Sequence, residues 1–396
     1  MREHRATVGV VFLIVFIDLV GFGIVIPILP LYAEDLHGSP LELGLLMAAF
    51  SAMQFVFAPI LGRLSDRFGR RPVLLLSLLG SVVGYVLFGL AGSMAMLFAS
   101  RIVDGISGAN VSTAQAVIAD ITGPEDRARG MGLVGMAFGL GFVFGPAVGG
   151  TLVGIAEWLP GFAAAGMSAL AFVLAWWLLP ETLSPEARER ARRTPLDLRA
   201  LARAVAHPNL GLALAAVFLV IFAFANFETT FAQLARLRLG LGKRGVAYLF
   251  VYVGVLAAAV QGGLVGRLAR RLGEGRLVAA GTFTAFLTLG FLPYLDRLGP
   301  VLVTLAALAL GQGLAGPSLS ALTSKLVGPD EVGGVMGIYQ SLSSLGRIVG
   351  PFYGELVYGA LGFHWPYRTG SLFMLAAAAL GTVLAVRLTR ARAAPA

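Results

Sequence analysis

A chain of 396 residues that is 57% hydrophobic and only 13% charged carries too little charge to cover a water-soluble globule of its size. Its net charge of +9 sits in short connectors between apolar runs and not on one aromatic-bearing face, which argues against a nucleic-acid partner. With no cysteine, disulfides, thiolate metal sites and cysteine nucleophiles are excluded, and the pattern that remains is that of a polytopic membrane protein.

The first apolar run, 8–32, is too long for a cleaved signal peptide and lacks a small-residue cleavage site, so it is expected to stay as a membrane helix. Asp18 lies about 10 residues into it, roughly 15 Å deep at 1.5 Å per residue. The second run, 41–61, leads into the connector GRLSDRFGRRP at 62–72, where five charges crowd into eleven residues. Gly62 and Gly69 suit the backbone of a tight link, and Pro72 suits the first turn of the next helix. The arginines, among them Arg67 and Arg70, are well placed as cytoplasmic anchors, but topology alone does not explain Asp66. A carboxylate there can accept from neighbouring guanidiniums or face the positive end of a helix.

The runs 73–91 and 95–119 follow, the latter carrying Arg101 and Asp104, three apart and hence on one helical face. In the fifth run, 131–153, Gly141, Gly145 and Gly149 recur every fourth residue with Pro146 after the middle one, a spacing that lets another helix approach closely. The sixth run is 161–179, and the polar stretch 183–208 reads as a cytoplasmic linker, with a short amphipathic helix at the membrane surface. Beyond it lie 209–233 with Glu228, then 245–265, 277–294 and 300–322, then 334–358 with Arg347 at mid-depth, and 368–387. Glu355 falls near the outer end of the eleventh run, where a side chain can reach the interface.

The second half echoes the first. Gly346, Gly350, Pro351 and Gly354 repeat the glycine spacing at an offset of 205, and GRLARRLGEGR at 266–276 repeats the charged connector with Arg270 in place of Asp66. Counting Lys and Arg, 22 of the 30 fall on the side of the termini and six on the other, which predicts both termini in the cytoplasm. The expected fold class is an all-α membrane protein of twelve transmembrane helices in two six-helix pseudo-symmetric bundles, 1–182 and 209–396, joined by the linker.

These motifs also carry a resemblance. APILGRLSDRFGRRPVLLLSLLG (58–80) resembles the first cytoplasmic-loop signature of the major facilitator superfamily. It is especially similar to that of the tetracycline/H⁺ and related drug/H⁺ antiporters. RIVDGISGANVSTAQAVIAD (101–120) resembles their fourth-helix motif, GLGFVFGPAVGG (139–150) their fifth-helix antiporter motif, and PET (180–182) also fits. The resemblance is strong over 1–182 and weaker beyond.

It implies export of hydrophobic small molecules in exchange for protons by alternating access. Asp66 is implied as a latch between halves, with Gly62, Arg67, Gly69, Arg70 and the fifth-helix Gly141, Gly145, Pro146 and Gly149 as gate elements. Asp18 with Arg101 is the leading proton-coupling pair, Asp104 shares their face, and Arg347 with Glu228 is the second-half counterpart. Family position makes Gln54, Asn110, Gln115, Asn226 and Tyr339 candidate cavity residues. The chain departs from the tetracycline antiporters in lacking an acid in the ninth run and a histidine in the eighth, which puts tetracycline as the substrate in doubt.

No cofactor is implied beyond the proton as coupling ion, and GQGLAG (311–316), inside an apolar run with no preceding strand, is not a dinucleotide fingerprint. There is no nucleotide-binding lysine loop, no nucleophile–base set and no histidine cluster, so an enzyme is not expected and no metal site is assigned. The expected partners are a small-molecule substrate, the proton and the lipid bilayer, with a monomer in a bacterial inner membrane. The alternatives are a proton-coupled metabolite or sugar transporter, or a non-cycling receptor or scaffold on the same fold.

Overall fold

The computed structural model describes residues 2–108, 110–121, 124–183, 208–327 and 332–393. The expected linker helix falls in 184–207, outside the described residues. Every regular element among the described residues is helical, as hydrocarbon requires of a backbone that must satisfy its own hydrogen bonds.

In the first half the helices are α1 (Arg2–Val25), α2 (Leu29–Asp35), α3 (Pro40–Phe68), α4 (Arg70–Gly89), α5 (Met94–Ser107), α6 (Asn110–Ile121), α7 (Pro124–Val153) and α8 (Leu159–Leu178). After the linker come α9 (Pro208–Leu239), α10 (Lys243–Val260), α11 (Gly266–Leu272), α12 (Glu274–Phe291), α13 (Leu298–Lys325), α14 (Val332–Leu361) and α15 (Trp365–Ala393). A π-helical turn at Gln261–Val265 joins α10 to α11 without a break in the rod. Each of the twelve predicted apolar segments falls largely on helix, the first shared between α1 and α2 and the fourth between α5 and α6, and nine helical stretches among the described residues are long and apolar enough to cross a membrane.

The chain forms two compact units that follow packing and not chain order. The first holds Met1–Ser39, Ala49–Pro195 and Leu241–Val251; the second holds Pro40–Ala48, Leu196–Gly240 and Tyr252–Ala396. The opening turns of α3 therefore group with the second unit, and those of α10 with the first.

In the first unit α1 is flanked by α7 and α8, and α4 by α5 and α8. Its core interleaves Val11, Ile14, Leu74, Leu78, Val117 and Ala171, all 1% exposed or less. Between membrane helices such contacts stabilise by close packing, since lipid tails are as apolar as the side chains. The glycine ridge sets the α1–α7 contact. A Cβ on Gly141 would stand 2.8 Å from Leu19 Cβ, one on Gly145 2.5 Å from the Gly23 backbone, and one on Gly149 2.6 Å from the Ile24 carbonyl oxygen.

The second unit repeats this device on different residues. A Cβ on Gly346 would lie 3.0 Å from the Phe222 backbone nitrogen, one on Gly350 2.6 Å from the Phe222 carbonyl oxygen, and one on Gly354 2.2 Å from Asn226 Oδ1. The α9–α14 pair thus reproduces α1–α7. Matching Leu19 to Phe222 places Ile221 at the position of Asp18, so the packing repeats while the buried acid does not.

The connector at 62–72 differs from expectation. Gly62 lies inside α3, which runs on to Phe68, and it is not part of a turn. Charged side chains do not end a helix once it leaves the hydrocarbon, because water solvates them while the backbone ladder continues. The link is Gly69 alone, with φ at 114°, a value favouring glycine, and its counterpart Gly273 takes φ at 82°.

Candidate functional site

Four helices of the first unit converge on a buried charged cluster. α5 brings Arg101 and Asp104, each 2% exposed, and α1 brings Asp18, 7% exposed. Arg101 Nη1 pairs with Asp104 Oδ2 at 3.3 Å. Ser168 Oγ of α8 donates to Asp18 Oδ1 at 3.0 Å. On α4, Ser81 and Tyr85 hydrogen-bond Asp104, and Asp18 acts electrostatically on both Asp104 and Tyr85.

Close approach of α5 to α4 makes this possible. A Cβ on Gly84 would stand 2.8 Å from Asp104 Cβ, and Ser100 Oγ donates to the Gly84 carbonyl at 2.8 Å. The Arg101 guanidinium lies 5.7–6.0 Å from the ring centres of Phe50, Tyr85 and Phe88, faces that favour a cation where water is scarce. Where the family resemblance implied an Asp18–Arg101 pair, the structure pairs Arg101 with Asp104 and sets Asp18 close enough to act on Asp104.

In the second unit Arg347 of α14 acts electrostatically on Glu228 of α9 and on Tyr339 of α14. Glu228 and Tyr339 are half-buried and Arg347 is exposed. Gln340, Ser344 and Arg347 recur at helical spacing, giving α14 a polar stripe. Glu355, expected near the interface, is instead 0% exposed, beside Gly44 of α3 and close enough to act on Tyr367. A missing Cβ makes the room: one on Gly44 would stand 3.0 Å from Glu355 Cβ.

At the GRLSDRFGRRP connector Arg70 is the hub. Its guanidinium takes Asp66 one turn back, Ser65 Oγ at 2.8 Å and Asp120 Oδ2 of α6 at 2.9 Å. Glu181, just beyond α8, accepts from the Arg70 backbone N–H at 2.9 Å and the Arg71 N–H at 3.3 Å, a carboxylate on the positive end of α4. Arg71 donates to the Trp176 carbonyl and lies over its ring. Arg67 is exposed. Asp120 ends the quoted fourth-helix motif and Glu181 is the middle residue of PET, yet their pairing with Arg70 is invisible at separations of 50 and 111 residues.

Sequence reasoning also missed an ion cluster at the opposite end of the first unit. Lys243, the first residue of α10 and 7% exposed, places Nζ 2.7 Å from Asp35 Oδ2 and 2.8 Å from Glu157 Oε1. It lies 4.6 Å from the Tyr32 ring centre, and Tyr32 Oη donates to the Ala91 carbonyl at 3.0 Å.

The expected cavity residues divide. Gln54 Nε2 donates to the Gly108 carbonyl at 2.8 Å, where α5 ends. Gln115 is exposed on α6, and the side chain of Asn110 lies outside the described residues. Asn226 does not line a cavity: it is 1% exposed, its Nδ2 donates to the Pro366 carbonyl at 2.8 Å, and Gly354 leaves it room.

Apolar helices keyed together by glycine ridges, with charges held in the membrane interior, define a helical membrane transporter and not an enzyme. The family model for the Major Facilitator Superfamily matches residues 11–351 and 277–396, and the chain belongs to that superfamily. It is 30% identical to "Multidrug resistance protein 2" of Bacillus subtilis (strain 168), over 91% of this chain and 90% of that one. It is 33% identical to "Tetracycline resistance protein, class C" of Escherichia coli, over 92% of both. Among solved structures, that of the human organic anion transporter MFSD10 (TETRAN) matches with a TM-score of 0.73 and 29% identity, covering 96% of this chain and 99% of that one.

Proposed function

We propose that the chain exports hydrophobic small molecules in exchange for protons, by alternating access. The observation that carries the reading is the buried cluster of Asp18, Arg101 and Asp104. With both acids ionised, the cluster holds two carboxylates and one guanidinium, an excess of one negative charge inside apolar packing. A single proton brings the cluster to neutrality, and its titration belongs to the cluster as a whole. A conformational change that alters the Arg101–Asp104 contact or the Ser168 bond to Asp18 changes what that proton is worth, and this is the requirement for coupling. The multidrug and tetracycline resistance relatives support the exporter direction. Both termini then face the cytoplasm of a bacterial inner membrane, and Asp66 with the Arg70 network acts as a gate element.

In inside-out vesicles carrying a pH dye, a transported drug should release protons from the lumen, and Asp18→Asn and Asp104→Asn should each abolish that release while drug binding persists. Undiminished proton flux in both variants would overturn the assignment.

A second reading, an organic anion as substrate, is favoured by the exposed Arg347 and by the likeness to the human organic anion transporter. Competition of an anionic and a cationic dye for the purified protein, with Arg347→Gln as the control, separates the two.

A further inference from the structure

In the second unit α12 and α15 run antiparallel in tight contact. A Cβ on Gly275 would stand 2.9 Å from Ala385 Cα, and one on Gly381 2.9 Å from the Ala279 backbone nitrogen. Small residues on both helices leave a groove of about 550 Å³ lined by Arg276, Ala279 and Ala280 of α12 and by Thr382, Ala385, Val386, Thr389 and Arg390 of α15.

Its chemistry is divided along its length. Arg276, near the start of α12, and Arg390, near the end of α15, lie exposed at the same end of the helix pair. The rest of the wall is hydrocarbon or committed hydroxyl: Thr382 and Thr389 each donate at 2.8 Å to a carbonyl one turn back, Ala378 and Ala385. The two guanidiniums are therefore the groove's side chains with protons to give. The nearby carboxylate of Glu274 is taken by Lys325 of α13, and among the described residues no acid pairs with Arg276 or Arg390. A groove with two guanidiniums at one end that no acid among the described residues neutralises, and apolar walls beyond, fits an amphiphile with an anionic head.

We infer that this α12–α15 groove binds an anionic phospholipid, its phosphate between Arg276 and Arg390 and an acyl chain along the alanines and Val386. Membrane lipid is the occupant because the groove lies on exposed faces of two spanning helices, where an acyl chain continues into the bilayer. A zwitterionic lipid presents the same phosphate with its own cation beside it, which competes with the arginines. The inference needs only the membrane placement of the chain and stands apart from any export activity.

The test is native mass spectrometry of the full chain in neutral detergent, titrated with phosphatidylglycerol or with phosphatidylcholine. Phosphatidylglycerol should be retained at least about tenfold more tightly. At about one kcal/mol per basic residue at an anionic surface, Arg276→Gln and Arg390→Gln should each weaken it about fivefold, and together about 25-fold. Arg387→Gln, an exposed arginine of α15 outside the groove, should leave it unchanged. Melting in phosphatidylcholine checks that each variant is folded. Equal retention of both lipids, an equal loss in Arg387→Gln, or full retention in the folded double variant would each overturn the inference.

Discussion

Gly145→Ala tests the most consequential packing contact. The added Cβ would stand 2.5 Å from both Gly23 Cα and its carbonyl carbon, and 2.8 Å from the Ile24 nitrogen. Carbon atoms in contact prefer about 3.5–4.0 Å, so α7 must retreat from α1 by roughly 1 Å. The obstacles are backbone atoms of a helix held by Leu19 above and Ile24 below, so no rotamer change relieves the clash. Overpacking of this kind costs about 1–3 kcal/mol.

Gly139→Ala, six residues earlier on the same helix, meets nothing within 4 Å. Both substitutions gain the same helix propensity, about 1 kcal/mol, so the difference between them isolates the steric cost. Equilibrium unfolding in mixed micelles should therefore find Gly145→Ala less stable than Gly139→Ala by about 1–3 kcal/mol. In the second unit Gly350→Ala should stand in the same relation to Gly337→Ala, whose Cβ also meets nothing. A gap below about 0.5 kcal/mol in both pairs would refute the packing argument.

Two other outcomes are expected. Asp66→Asn, which removes one of the two carboxylates on the Arg70 guanidinium, should lower transport more than Arg270→Gln at the matching position of α11, compared at equal expression; equal losses would remove the asymmetry between the connectors. Lys243→Met should cost about 1 kcal/mol of stability, because Asp35 and Glu157 are 38% and 62% exposed and water takes over their solvation. A loss of 3 kcal/mol or more, the range for breaking a buried pair, would show that the two acids are not shielded in this way.

The helical segments and the repeat were legible because each rests on local pattern: apolar runs of membrane length, and glycines every fourth residue whose spacing is itself the contact surface. Gly69 was legible as a turn, since its positive φ requires glycine. Gly62 was misread because a charged stretch looks like a loop, whereas α3 only leaves the apolar phase there. Arg101 and Asp104 share a face by their spacing of three, but Ser168 and Tyr85 reach the cluster through packing of α8 and α4 onto it. Asp35 ends α2, Glu157 lies between α7 and α8, and Lys243 opens α10, and nothing in the order of residues says that these places meet. Asn226 illustrates the converse error. Family position suggested a cavity wall, and its buried amide nitrogen donates instead to the Pro366 carbonyl.

The ending of α5 at Ser107 carries a mechanical consequence. The i-to-i−4 ladder gives out at Gly108, whose amide turns back to the Gly105 carbonyl, and Gln54 of α3 donates to the Gly108 carbonyl. The fourth predicted segment is therefore two levers and not one rod. One carries Arg101 and Asp104; the other, α6, carries Asp120 and is anchored to Arg70. The charge cluster and the connector network thus sit on separate helices, and the Gln54 bond ties the end of the first to α3.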